Sequence, residues 1–115
     1  MPRIPLVALG GAIGCSARFA LSHLLQRPGA FPLGTLAVNV LGCLAAGWLL
    51  ARQAFSDDIR AFLMPGVLGG FTTFSAFGVE TLGLWQAGSG GLAALNAGAN
   101  LVLGLGAAWA GHRLA

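Results

Sequence analysis

The sequence predicts an all-α membrane protein of four transmembrane helices that form a single domain over residues 1–115. Hydrophobic residues make up 57% of the chain and charged residues 8%, whereas a soluble domain carries roughly 25% charged residues. A soluble protein of this composition would expose apolar patches and aggregate. The chain also contains four apolar stretches, each near the ~20 residues needed to cross ~30 Å of hydrocarbon.

The four stretches are separated by short polar turns. The first two predicted spans are Ile4–Leu25 and Leu33–Ala51, and the others are residues 61–85 and 91–111. A polar loop precedes the third span and contains Arg52, Asp57, Asp58 and Arg60. A single arginine precedes the first apolar stretch, as it would in a signal peptide. No small-residue cleavage site comes after the stretch, so we interpret it as a transmembrane helix that is not cleaved off.

The charges are six arginines against three acidic residues, with no lysine. The arginines are scattered rather than clustered in a stripe, which argues against a nucleic-acid partner. Four of them lie on the side of both termini: Arg3, Arg52, Arg60 and Arg113. Arg27 lies on the other side, and Arg18 does so only if it is near the interface. The positive-inside rule therefore favours cytoplasmic termini in a multi-pass protein of the inner or plasma membrane.

Small residues four apart predict close contacts between the helices. The pairs are Gly10 with Gly14, Gly66 with Gly70, and Ala107 with Gly111. Four short helices packed this closely leave no interior for a pore, so any permeation path would lie between copies of the chain. Cys15 and Cys43 lie in apolar segments and are predicted to be small buried side chains.

The third predicted span contains a sequence that weakens a helix. Gly69-Gly70 is followed by Thr72-Thr73, and both residue types disfavour a helix interior. A break at that depth survives only where the backbone is buried or lines a polar cavity. The free carbonyls of half-helices are recurrent cation sites in transporters. The alternative is a kinked helix whose hydroxyls bond to their own preceding turn.

Polar residues within the spans are candidates for function, each with a structural alternative. Arg18 could act on an ion, or could snorkel or tie off a helix end. Glu80 suits a vestibule or a structural hydrogen bond. Asn39 offers two N–H donors, which suit a small anion or a neighbouring helix. Asn96 and Asn100 lie one turn apart on the fourth span, and bonding between helices is the favoured interpretation for Asn96.

Two aromatic residues, Phe74 and Phe77, flank Ser75 just after the weakened segment. Three residues apart, they share one helix face. Core packing is the usual explanation for such a pair. The positive ring edges could instead contact an anion.

Three stretches resemble, in order and spacing, the Fluc/CrcB family of fluoride ion channels. They are GGAIGCSARF at residues 10–19, GTLAVNVLGC at residues 34–43 and GGFTTFSAF at residues 69–77. Cys15 stands where alanine is usual, and Ala76 stands where threonine is common. Three ordered motifs in a chain of this length are far more specific than any one of them.

The resemblance implies a dimer of antiparallel four-helix subunits, with two fluoride pathways along the interface. It implies that a pathway is lined by Asn39, Phe74, Ser75 and Phe77, with Thr73, Glu80 and Asn100 along it. Arg18 would have a structural role near the pathway entrance. Backbone carbonyls of Gly69 and Thr72 would bind a central structural Na⁺ shared by both subunits.

The implied function is passive export of fluoride, which lowers cytoplasmic fluoride. The uneven distribution of arginines leaves open a heterodimer with an oppositely oriented paralogue. A small proton-coupled four-helix exporter is an alternative, although the first span has Arg18 where that class needs a carboxylate. A non-transporting membrane scaffold subunit is another, but it would not need a break within a span. No nucleophile–base or metal constellation indicates an enzyme.

Overall fold

The computed structural model describes residues 2–115 and has four helices that are long and apolar enough to cross a membrane. The first two have the predicted bounds: α1 is Ile4–Leu25 and α2 is Leu33–Ala51. The third span, Asp57–Gln86, consists of α3 (residues 57–71) and α4 (Phe74–Gln86). The fourth, α5, is Gly90–Leu114 and extends beyond its predicted bounds at both ends.

The third span begins four residues earlier than predicted. The prediction that Asp57, Asp58 and Arg60 lie in a loop was wrong, because all three are helical. Ser56 caps this helix, since its hydroxyl accepts a hydrogen bond from the Ile59 N–H at 3.3 Å. The two aspartates occupy the first turn, where the positive end of the helix dipole stabilises carboxylates.

Helices α2 and α5 run in the same direction and pack closely against each other. The contact depends on glycine: a Cβ added at Gly47 would clash with the carbonyl of Ala108, and one at Gly111 would clash with the carbonyl of Leu44. Close approach of two backbones through small residues is how membrane helices commonly associate. The predicted close contact at Gly111 is therefore confirmed.

Helix α1 packs against α3 through a second glycine contact. Cβ atoms added at Gly10 and Gly14 would clash with the carbonyls of Phe62 and Val67. Gly70 faces α1 in turn, and a Cβ there would lie 3.0 Å from the backbone nitrogen of Cys15. Because backbone fills this contact, the Cys15 side chain is left at its exposed edge. The prediction that both cysteines are buried was thus wrong for Cys15, and Cys43 is only half-buried.

The first half of the third span is not a regular α-helix. It widens into a π-helix over Phe62–Leu68, which includes Pro65. Proline has no N–H for the carbonyl four residues before it, and its ring crowds that carbonyl. The wider π register is the local accommodation of this residue.

The span is broken at Thr72 and Thr73, as predicted for this part of the sequence. Both residues are extended, with φ/ψ of −87°/158° and −148°/122°. Gly69 and Gly70, which were expected to weaken the helix, are themselves helical. The Thr72 hydroxyl does bond to its preceding turn, at the Leu68 carbonyl, but the backbone leaves the helix immediately afterwards.

Candidate functional site

A groove of about 560 Å³ opens on one face of the helix bundle at the break between α3 and α4. It brings together α2, both halves of the third span, and α5. Most of the predicted site residues line it, namely Asn39, Gly69, Thr72, Thr73, Phe74, Phe77 and Asn100. Ser75 is exposed beside the groove, whereas Arg18 and Glu80 lie outside its lining.

The side-chain amide of Asn39 holds the broken backbone. Its Oδ1 accepts a hydrogen bond from the Thr73 N–H at 2.8 Å, and its Nδ2 donates to the Thr73 carbonyl at 3.1 Å. One side chain on α2 thus replaces both helical partners that Thr73 lacks. Because a backbone N–H can only donate, this contact also fixes the orientation of the amide.

A chain of hydrogen bonds extends from Asn39 across the bundle. Asn39 donates to Asn100 Oδ1 at 3.0 Å, and Asn100 donates to the Asn96 carbonyl at 2.9 Å. Asn96 is fully buried and donates to the Thr81 hydroxyl at 2.9 Å, which bonds to the Phe77 carbonyl at 2.7 Å. The predicted bonding of Asn96 between helices is confirmed, since Thr81 lies on α4.

These bonds decide which donors in the groove are available to a ligand. Both N–H groups of Asn39 are engaged, and so is the amide nitrogen of Asn100. The Thr73 hydroxyl oxygen accepts from the Ala76 N–H at 3.1 Å and lies 3.4 Å from the Ser75 hydroxyl. At most one of these two hydroxyls donates to the other, so at least one of the two hydroxyl protons has no acceptor among residues 2–115.

Phe74 and Phe77 form an aromatic pair at the start of α4. Their ring centroids are 5.4 Å apart and the ring planes are inclined by 55°. Phe77 is half-buried, but Phe74 is 82% exposed. Core packing within the subunit therefore does not account for Phe74.

Backbone oxygens are left unpaired at the break. In a continuous helix the Thr73 N–H would bond to Gly69, but it is taken by Asn39. Among residues 2–115, no hydrogen bond ends on the carbonyl oxygen of Gly69 or Thr72. That part of the chain also has no cluster of three or more His, Cys, Asp or Glu side chains that could hold a metal ion. A cation at the break would thus be bound by backbone oxygens, which suit a hard ion.

Arg18 contacts the end of α3. Its Nε donates to the Gly70 carbonyl at 2.9 Å, and the side chain is partly buried. This is the bond expected if the arginine ties off a helix end. A charged donor satisfies a carbonyl that the break has deprived of its helical partner.

Glu80 lies on α4, about two turns beyond the break. Its Oε1 accepts a hydrogen bond from the Thr35 hydroxyl at 2.6 Å, while its Oε2 is buried and has no partner within residues 2–115. Sequence reasoning overlooked Thr35. The spacing could have indicated it, because Thr35 lies four residues before Asn39 and therefore shares its helix face.

Comparison with known proteins identifies relatives over nearly the whole chain. The family described as CrcB-like protein, Camphor Resistance (CrcB), matches residues 5–112. A protein of Nitratidesulfovibrio vulgaris named fluoride-specific ion channel FluC is 48% identical over 117 residues, which cover 96% of this chain and 94% of the relative. Proteins of the same name from Methylobacillus flagellatus and Thermus thermophilus are each 48% identical, over 99% of this chain and 94% and 95% of their own lengths.

Proposed function

We infer that this chain, which belongs to the CrcB-like protein (camphor resistance) family, is a multi-pass membrane channel that lets fluoride leave the cell down its gradient. Full-length relatives that are 48% identical carry the name fluoride-specific ion channel. The structural observation that carries the proposal is the break at Thr72 and Thr73, which places backbone and side-chain polar groups in a largely apolar groove within the third span.

The break has two ends of opposite polarity. The carbonyl end of α3 is suited to a cation, and the N-terminus of α4 is suited to an anion because its N–H groups and helix dipole are positive. Ser75 and the cap residue Thr73 add hydroxyl groups at this end. We propose that fluoride passes at the α4 end.

Fluoride is strongly hydrated, so a pathway must replace its water molecules. The uncommitted hydroxyl proton at Thr73 and Ser75 can donate one hydrogen bond. The edges of the Phe74 and Phe77 rings are positive and can supply further contacts. Because the rings are inclined by 55°, an edge of one ring can face an ion while the other ring supports it.

We propose that Asn39 and Asn100 act mainly by positioning the groups at the start of α4. The Asn39 amide holds the backbone of Thr73, and so the start of α4, while Asn100 supports that amide. Direct donation to fluoride would require Asn39 to give up one of its two bonds. Glu80 lies further along the same side of α4 and is proposed to contribute to the pathway beyond the groove, with Thr35 orienting it.

A structural Na⁺ fits the other end of the break. The Gly69 and Thr72 carbonyls would hold it, since their oxygens accept no hydrogen bond within residues 2–115. Two carbonyls cannot complete the coordination of a hard cation, and we propose that a second subunit supplies further oxygens. When bound, the ion would supply a fixed positive charge that lowers the electrostatic cost of a nearby anion.

The proposed assembly is a dimer of oppositely oriented subunits. The groove is open along one face, and the 82% exposed ring of Phe74 lies at that face. A second copy would cover the ring and convert an open groove into an enclosed path. A heterodimer with an oppositely oriented paralogue meets the same requirement. The proposed location is the cell inner or plasma membrane.

Coupling of fluoride transport to proton movement distinguishes a proton-coupled exporter from a passive channel. An exporter would need a carboxyl group within the membrane, and Glu80 would be that group. The test uses liposomes loaded with potassium fluoride and containing the purified protein. A passive channel carries net charge, so fluoride efflux should begin only when valinomycin allows potassium to follow. Proton uptake that accompanies the valinomycin-dependent efflux, or fluoride movement against its own gradient driven by a pH gradient, would instead support a proton-coupled exporter.

A further inference from the structure

Two pairs of an arginine and a tryptophan lie at the end of the bundle that carries both termini. The guanidinium of Arg52 lies 4.6 Å from the ring centroid of Trp48, and that of Arg113 lies 5.7 Å from the ring centroid of Trp109. Each arginine follows its tryptophan by four residues: Arg113 lies within α5, and Arg52 is the residue that ends α2. Both distances are within the ~6 Å over which an arginine is attracted to an indole face.

The two pairs lie at the same level of neighbouring helices. Asn39 on α2 bonds to Asn100 on α5, a separation of 61 residues. The same separation relates Gly47 to Ala108, which are in contact, and also relates Trp48 to Trp109 and Arg52 to Arg113. Because α2 and α5 are parallel and closely packed, this constant register brings both pairs to one depth at the membrane interface.

The other charged groups at this end are already paired. Arg3 bonds to Asp58 at 2.9 Å and lies 3.7 Å from Asp57. Arg60 donates to the carbonyls of Leu49 and Arg52, which end α2. Within residues 2–115, by contrast, the guanidinium groups of Arg52 and Arg113 make no hydrogen bond or ion pair. Each guanidinium lies over an indole ring, and its N–H groups are available.

We propose that Arg52 and Arg113, each supported by its tryptophan, form a binding site for the phosphate of an anionic phospholipid headgroup. A stacked guanidinium presents a rigid pair of N–H donors that matches phosphate geometry. Tryptophan side chains at a membrane interface lie at the level of the headgroups, where such a phosphate is found. Two uncommitted positive charges at one depth favour an anionic lipid over a zwitterionic one.

Lipid selection by the intact purified protein tests this proposal. The protein is equilibrated in mixed micelles with equal amounts of phosphatidylglycerol and phosphatidylcholine of the same acyl chains, and retained lipid is counted by native mass spectrometry. We expect retained phosphatidylglycerol to exceed phosphatidylcholine. An arginine near an anionic lipid surface contributes about fivefold, so the Arg52→Gln/Arg113→Gln variant should lower this preference about 25-fold.

Two further variants separate this site from a general effect of charge. Arg3→Gln/Arg27→Gln removes the same net charge at other positions and should keep the wild-type preference. Arg52→Lys/Arg113→Lys keeps the charge but loses the planar fork, so its preference should fall between those of the wild type and the glutamine pair. The proposal would be overturned if wild type retained both lipids equally, if the glutamine pair at 52 and 113 kept the preference, if the control pair lost it equally, or if the lysine pair kept it in full.

Discussion

The Asn39 side chain satisfies both backbone polar groups of Thr73, with contacts of 2.8 Å from the Thr73 N–H and 3.1 Å to its carbonyl. Thr73 is also the N-cap of α4, where its hydroxyl accepts from the Ala76 N–H. One asparagine on α2 therefore fixes the point at which the second half of the third span begins. The candidate anion site depends on that point.

Replacing Asn39 with aspartate should block fluoride efflux. The change keeps the shape but removes both N–H donors, so the Thr73 carbonyl and Asn100 Oδ1 would face a carboxylate. A buried acceptor left without its donor costs about 1–3 kcal/mol, and the added negative charge opposes an anion. The measurement is fluoride efflux from liposomes containing folded Asn39→Asp protein.

The control for this change is Asn96→Ala, which removes an asparagine from the same chain of hydrogen bonds but leaves the clamp on Thr73 intact. It should lower stability while retaining efflux. Wild-type efflux from Asn39→Asp would reduce Asn39 to a contact between helices.

Replacing either Phe74 or Phe77 with isoleucine should abolish efflux and leave a folded dimer. Apolar exchanges of similar volume are usually tolerated in packing, whereas an aliphatic side chain has no positive ring edge for an anion. Phe19→Ile is the matched control, because Phe19 is 72% exposed on α1 and lies outside the groove. Normal efflux from both folded test variants would return the pair to a packing role.

The glycine contact between α2 and α5 should be intolerant of a single methyl group. In Gly47→Ala the new Cβ would clash with the Ala108 carbonyl, and overpacking of this kind costs about 1–3 kcal/mol or more. In Gly106→Ala the Cβ has nothing within 4 Å. Thermal denaturation in detergent should show a marked loss for the first variant and little change for the second. Equal melting temperatures would contradict the close approach of these helices.

Homodimers of antiparallel subunits require one chain to insert in both orientations. An N-terminal epitope on a protease-cleavable linker reports orientation in spheroplasts, where external protease reaches only one side. We expect about half of the epitopes to be cleaved, because each antiparallel homodimer contains one subunit in each orientation. A single orientation, together with no dimer from the chain alone, would favour the heterodimer.

The lengths and order of the helices could be predicted from sequence because lipid imposes them. A continuous apolar stretch of about 20 residues has few structural alternatives, and the first two spans have their predicted bounds. The start of the third span was missed because Asp57 and Asp58 were interpreted by polarity alone. Their place after Ser56 is a capping pattern that begins a helix.

The details of the break could not be predicted because they depend on contacts between helices. The glycines at 69 and 70 were expected to weaken the helix by propensity, but the backbone leaves it at Thr72 and Thr73. Asn39 decides that position, from 34 residues away in sequence. The partner of Glu80 likewise became known only when folding brought Thr35 beside it. The resemblance supplied the identity of the ion, which no single residue specifies.

Fluoride release from liposomes that contain only the purified protein tests the central claim most directly. Vesicles loaded with equal concentrations of potassium fluoride and potassium chloride are diluted into salt with an impermeant anion, valinomycin is added, and both anions are followed with selective electrodes. We expect rapid fluoride release from vesicles with protein, none from protein-free vesicles, and chloride retained in both. Retained fluoride, or chloride released as fast as fluoride, would contradict the assignment of this chain as a fluoride channel.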